Sequence, residues 1–156
     1  MLRGCDLAMS GSDHLLIAAT LSFIASLFHV GIIIGGPAWY RFFGAGERFA
    51  TLAEQGSARP TLITLGIATM LFVWGLYALS GAGVIVRLPL LQPALMAITF
   101  VYLARGVLGL VLPFTTNHPA IAENSVTFWM ISSVICCAFG LFYLLGTLNS
   151  WASLAG

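Results

Sequence analysis

The chain has 156 residues, of which 60% are hydrophobic and only 7% charged, and its formal net charge is +1. That composition suits hydrocarbon and excludes an ordinary water-soluble domain. A near-neutral chain with no Lys, whose six cations are all Arg, gives no footing for nucleic-acid binding.

Four apolar stretches cover residues 15–36, 61–79, 90–112 and 126–148. Each is near the ~20 residues a helix needs to cross ~30 Å of hydrocarbon. They predict an all-α membrane protein: a four-transmembrane-helix bundle with an interfacial amphipathic segment in the first loop. Residues 1–156 are expected to form one integral membrane domain with both termini on the same side, in a bacterial inner membrane or an equivalent. The side carrying both termini is here called A and the other B.

Ahead of the first span, Leu2-Arg3-Gly4-Cys5 superficially matches a lipoprotein cleavage box. The apolar segment follows this cysteine instead of preceding it, so no lipid anchor is expected. The apolar core of the first span exceeds the ~7–15 residues of a signal-peptide core, so a retained span is expected despite Gly35, Gly36 and Ala38. Ala18, Ser22, Ala25 and His29 form one helical stripe on it. Gly31 and Gly35 make a G-x-x-x-G spacing, suited to close helix contact within the bundle or with a second copy.

The first loop, residues 37–60, contains a helix candidate at 47–55 with Phe49, Leu52 and Ala53 on one stripe. With Trp39, Tyr40, Phe42 and Phe43 just ahead, it reads as an amphipathic collar, serving as a connector or as a lid. The second span presents Thr64, Ala68, Leu71 and Gly75, and the third Ile98, Tyr102, Arg105 and Gly109. Residues 113–125 form a turn-like third loop in which Asn117 and His118 are placed to cap a helix or reach a pocket. The fourth span presents Trp129, Ser133, Cys136, Gly140, Tyr143 and Thr147. Cys136 and Cys137 project about 100° apart, which suits packing and not a mutual disulfide.

Aromatic side chains, as interfacial anchors or core fillers, fall with Trp39, Tyr40 and Trp129 toward B, and Trp74, Tyr77, Tyr143 and Trp151 toward A. Orientation is nearly balanced, with Arg41, Arg48 and Arg59 on side B against Arg3, Arg87 and the amino terminus on side A. The cluster in one loop tips the reading toward a cytoplasmic side B.

Ionisable groups inside a span are costly and should face the bundle interior. His29 and Arg105 are the two, on spans that run in the same direction, each predicted roughly 5–6 Å past the midplane toward B at 1.5 Å per residue. Convergence of the four stripes would form a polar pocket there, lined by His29, Arg105, Tyr102, Ser133 and Thr64, with Glu47, Glu54 or Glu123 at its mouth. The competing reading makes Arg105 a tie to a loop carboxylate or a headgroup, and His29 a packed hydrogen-bond donor. Metals and cofactors are not expected. Only His29 lies within a span, since His14 is at the A boundary and His118 in a loop, and no Cys/His spacing suits zinc. Neither a phosphate-binding glycine loop nor a serine elbow is present.

Four spans with a long first loop resemble the layout of DoxX-type small membrane proteins over the whole chain, a resemblance that transfers no residue and no activity. Three functions are open. One is a non-enzymatic module that binds a lipid or amphiphilic ligand, or serves as an accessory subunit of a larger membrane complex or homo-oligomer. A second is a membrane enzyme acting on a lipid-like substrate, with His29 as acid/base and Arg105 stabilising an anion. The third is an oligomeric transporter.

Overall fold

A computed structural model describes residues 9–44, 46–116, 118–122 and 124–155. Arg3, Cys5, Asn117 and Glu123, invoked above, lie outside the described residues. Helix α1 (Gly11–Phe42) starts at a capping box, in which the Ser10 hydroxyl accepts from the Asp13 backbone N–H and the Asp13 carboxylate accepts from the Ser10 N–H. It is followed by α2 (Glu47–Glu54), α3 (Arg59–Gly81), α4 (Leu91–Thr115), α5 (Pro119–Ala122), α6 (Val126–Asn149) and α7 (Trp151–Leu154). Helices α1, α3, α4 and α6 are long and apolar enough to cross a membrane. The protein is an all-α, multi-pass membrane protein.

The bundle closes through α1 against α3, α4 against α6, and α1 against α6. Large apolar side chains such as Leu27, Leu62, Phe100 and Ile131 point outward, as expected where the solvent is acyl chain. The inward stripe of α3 is Thr64, Ala68, Leu71 and Gly75, all buried. On α1 Ala18 and Ser22 are buried, while Ala25 and His29 are half-buried. Small residues let backbones meet. A Cβ on Gly106 of α4 would lie 3.0 Å from the Cys137 backbone nitrogen and 3.1 Å from the Ser133 carbonyl oxygen of α6.

One hydrogen-bonded group ties all four long helices together. The Ser22 hydroxyl of α1 lies 2.9 Å from the Tyr143 hydroxyl of α6 and 3.4 Å from the Tyr102 hydroxyl of α4. Tyr143 donates to the Trp74 carbonyl of α3 at 2.9 Å. A carbonyl only accepts, so the single Tyr143 proton is committed there; Ser22 must then donate to Tyr143, and Tyr102 to Ser22. Tyr102 and Tyr143 stack at 5.5 Å, and Trp74 meets Tyr102 edge-on at 4.9 Å. Tyr143, on the predicted inward stripe of the fourth span, is 0% exposed and belongs to the core.

The first loop departs from expectation. Residues 37–42 are helical, a continuation of α1 beyond a kink at Gly36 (φ 62°, ψ −149°). That conformation suits glycine alone, and Pro37 adds a further restriction on the residue before it. The turn folds Trp39 back over the two glycines of the G-x-x-x-G pair: a Cβ on Gly35 would sit 2.0 Å from the Trp39 ring, and one on Gly31 3.5 Å from it. The pair therefore seats an indole of its own helix. Tyr40, expected at the interface, is 1% exposed, beside Ile32 and Ala50. Helix α2 buries Ala50, with Phe49 and Ala53 alongside, so its inner stripe is centred on Ala50 and not on Leu52.

Outside this small cluster, Arg41 pairs with Glu47 at 2.7 Å and with Glu54 at 2.6 Å. Hydrogen bonds from Arg41 hold both carboxyls below their ordinary value of 4.5. Their stabilising contribution is therefore complete above that value and is lost as pH falls through the depressed native values. Amide-exchange protection of α2, corrected for intrinsic rate, should stay level from about pH 7 to about 5 and fall below the ordinary carboxylate range. The Glu47→Gln/Glu54→Gln double variant should show no such fall, and equal behaviour of the two proteins would remove the ion pairs as the cause.

Tyr143→Phe deletes a donor and an acceptor in a region without water. It should destabilise the bundle by about 1–2 kcal/mol in detergent unfolding. Tyr102→Phe, which loses only the 3.4 Å contact, should cost less. The reverse order would refute the donor assignment.

Candidate functional site

Arg105 stands on α4, one turn before Gly109. The side chain runs along its own helix toward the end of the bundle that carries α2, and Gly109 is what gives it room. A Cβ there would lie 2.4 Å from Arg105 Nη1, 2.1 Å from Ser133 Oγ and 3.2 Å from the Trp129 ring. Nη1 donates to Ser133 Oγ at 3.3 Å and Nη2 to Ser132 Oγ at 3.2 Å. The guanidinium carbon sits 4.5 Å from the Trp129 ring centroid, within cation–π range.

The partners of this cation are themselves held. Trp129 Nε1 donates to the Ile121 carbonyl of α5 at 3.0 Å, which sets the indole plane. Ser132 Oγ donates to the Trp129 carbonyl at 3.3 Å, so its lone pairs are left for the guanidinium. Trp129, Ser132 and Ser133 occupy positions i, i+3 and i+4 of α6 and so share a face. Arg105 is half-buried, and among the described residues it has no ion-pair partner. The described residues that touch it offer dipoles and a π face but no formal negative charge.

The other candidate residues occupy different places. Tyr102 belongs to the Ser22–Tyr143 group. Thr64 Oγ1 lies 3.3 Å from the Tyr40 hydroxyl. Glu47 is paired with Arg41. His29 Nδ1 lies 2.7 Å from the Ala25 carbonyl of its own helix. Because that oxygen only accepts, Nδ1 carries the proton, and Nε2 of the neutral ring keeps its lone pair. Of the six residues His29, Arg105, Tyr102, Ser133, Thr64 and Glu47, hydrogen bonds, ion pairs and ring contacts among the described residues bring together only Arg105 and Ser133. Among the described residues, no cluster of His, Cys, Asp and Glu is arranged to hold a metal ion.

Two clefts open at opposite ends of the bundle. One, of about 270 Å³, is lined by Arg41, Gly44, Gly46, Glu47, Asn124 and Ser125. The other, of about 470 Å³, lies where Gly11 approaches Ser150 and includes Arg87. Glu47 lines the first; the other five candidates line neither.

Sequence reading missed Ser132, the seat at Gly109 and the pairing of Trp129 with Arg105. The spacing of Trp129, Ser132 and Ser133 was a usable signal, since it puts an aromatic face and two hydroxyls on one side of a span. Gly109 was visible on the Arg105 stripe but was given no role of its own. No protein-family model, curated protein or solved structure matches this chain. The likeness to DoxX-type proteins is accordingly one of layout, and the Arg105 site is left as the ground for a functional reading.

Proposed function

We propose that this protein is a non-enzymatic membrane module that binds the anionic head of a lipid or other amphiphile through Arg105, alone or as an accessory subunit of a larger assembly. It would sit in the bilayer with both termini on one side. The observation that supports this reading is a guanidinium held within a span by Trp129, Ser132 and Ser133, with no ion-pair partner among the described residues. Serine oxygens and an aromatic face orient a cation but leave its net charge uncompensated, and an anionic headgroup supplies the missing charge. Half-burial gives the site an open side toward such a partner.

A membrane enzyme is the second reading, and one observation favours it. The fixed Nδ1–H of His29 leaves Nε2 as a base. This reading needs His29 and Arg105 to act on one substrate.

Native mass spectrometry of the protein released from mixed phosphatidylcholine and phosphatidylglycerol membranes tests both. Arg105→Gln should lower retention of the anionic lipid about ten-fold, on the order of 1.4 kcal/mol. Gly109→Ala should do nearly the same with the arginine intact, because the new methyl occupies the guanidinium's seat. Arg105→Lys should recover part of the loss, since an ammonium carries the charge but not the planar fork. Unchanged retention in Arg105→Gln would end the proposal. Chemical conversion of the retained lipid, abolished by His29→Ala, would replace it with the enzymatic reading.

A further inference from the structure

The larger cleft lies at the end of the bundle away from α2, and among the described residues Arg87 is the only charged side chain that lines it. Its volume of about 470 Å³ falls in the range of small-ligand sites. All four long helices contribute to its wall, through Gly11 and Ser12 of α1, Ser80 of α3, Leu91 of α4 and Asn149 of α6.

Arg87 is held more firmly than an exposed loop side chain needs to be. The Ser80 hydroxyl, 5% exposed, donates to the Val86 carbonyl at 3.0 Å and accepts from the Leu88 N–H at 2.9 Å. One buried hydroxyl thus clamps the residues on either side of Arg87. The guanidinium in turn donates from Nη1 to the Ser153 carbonyl at 3.1 Å and from Nη2 to the Leu154 carbonyl. Those bonds use two of five N–H donors and bring no negative charge. Around it the cleft offers the hydroxyls of Ser12 and Ser150 and the amide of Asn149, the Ser153 hydroxyl being spent on the Ser150 carbonyl at 2.8 Å, and no carboxylate of the described residues lines it. Leu91 and Leu154 form an apolar margin.

We infer that this cleft is a second binding site, for a phosphate group, with Arg87 as its charged anchor and the hydroxyls of Ser12 and Ser150 and the amide of Asn149 as hydrogen-bond donors. A phosphate supplies the charge that the carbonyl partners of Arg87 do not, and its oxygens accept from a guanidinium and several hydroxyls at once. The group can come from a lipid headgroup, with the apolar margin taking the glycerol and upper acyl chain, or from a free phosphate. The inference does not rest on the Arg105 reading, because the two arginines line different regions and share no partner.

The test uses the full chain in phosphatidylcholine nanodiscs and reads the fluorescence of Trp151, which lies between Ser150 and Ser153, as the difference from a Trp151→Phe variant. Inorganic phosphate is titrated in one arm, and phosphatidylglycerol is raised in the nanodisc in the other. A saturable response to phosphate assigns a free phosphate, and a response to phosphatidylglycerol alone assigns a headgroup. Arg87→Gln should weaken the response about ten-fold. Ser12→Glu is the second variant: an acid in the first turn of α1 favours the helix but repels an anion in the cleft, so it should weaken the response without touching Arg87. Ser12→Gln, which removes one hydroxyl but adds no charge, should weaken it less than Ser12→Glu does, and Arg105→Gln should leave it unchanged. Absence of a saturable response to either probe, or equal affinity in Arg87→Gln and Ser12→Glu, would overturn the inference.

Discussion

The architecture depends on a chain of hydroxyls in a place without water. Tyr102 donates to Ser22, Ser22 to Tyr143, and Tyr143 to the Trp74 carbonyl, so one element of each long helix takes part. A buried hydroxyl without a partner costs far more in an apolar medium than in water. Each helix therefore loses a satisfied polar group if it shifts along its axis relative to the others. Apolar stripes alone would not set that register, because lipid tails are as good a neighbour for a leucine as another helix is. The stacked rings of Tyr102 and Tyr143 add a lateral constraint at the same level. The heights of Arg105 and His29 are consequently measured from this group and not from either membrane surface.

From that level toward the α2 end, α4 and α6 run close together because Gly106 meets the backbone of Ser133 and Cys137. One turn further on, the same seam holds a guanidinium. Gly109 withholds a side chain, and Ser133 and Trp129 supply an oxygen and a ring at the distances Arg105 needs. The cation site is thus a consequence of helix packing, built by small residues on α4 and polar residues on α6. At the other end of the bundle, the clamp at Ser80 turns a short connection into a fixed platform for Arg87.

The four spans and the amphipathic helix were legible because they rest on one-dimensional properties, length and periodicity. The predicted helix at 47–55 and the observed Glu47–Glu54 differ by one residue. The inward stripe of α3 was legible for the same reason. Three things were not. The hydrogen-bond partners of Tyr143 and Tyr40 depend on where Ser22, Trp74 and Thr64 lie in space, although Tyr143 was legible as an inward residue of its stripe. Gly31 and Gly35 have the spacing of a helix–helix contact, and the kink at Gly36 gave that groove to Trp39 instead. The partners of Arg105 lie 24–28 positions away on another helix, and a sequence stripe cannot say which stripes meet.

The three arginines with described partners differ in what balances them, and that difference carries the functional argument. Arg41 meets two carboxylates and is fully compensated in charge. Arg87 meets two carbonyl oxygens at a bundle end, where water and headgroups are at hand. Arg105 meets two hydroxyls and a ring inside a span. If its task were only to join α4 to Ser132 and Ser133, a glutamine would offer amide hydrogens without a charge. Placing an arginine at the centre of a spanning helix costs about 2.5–3.5 kcal/mol, and the serines return only the part that hydrogen bonding can return. What a guanidinium adds over an amide is a positive charge and a planar fork. The fork reaches Ser132 and Ser133 at once and the charge meets the Trp129 face, but none of these three partners neutralises that charge, which is the property the proposed anionic ligand would use.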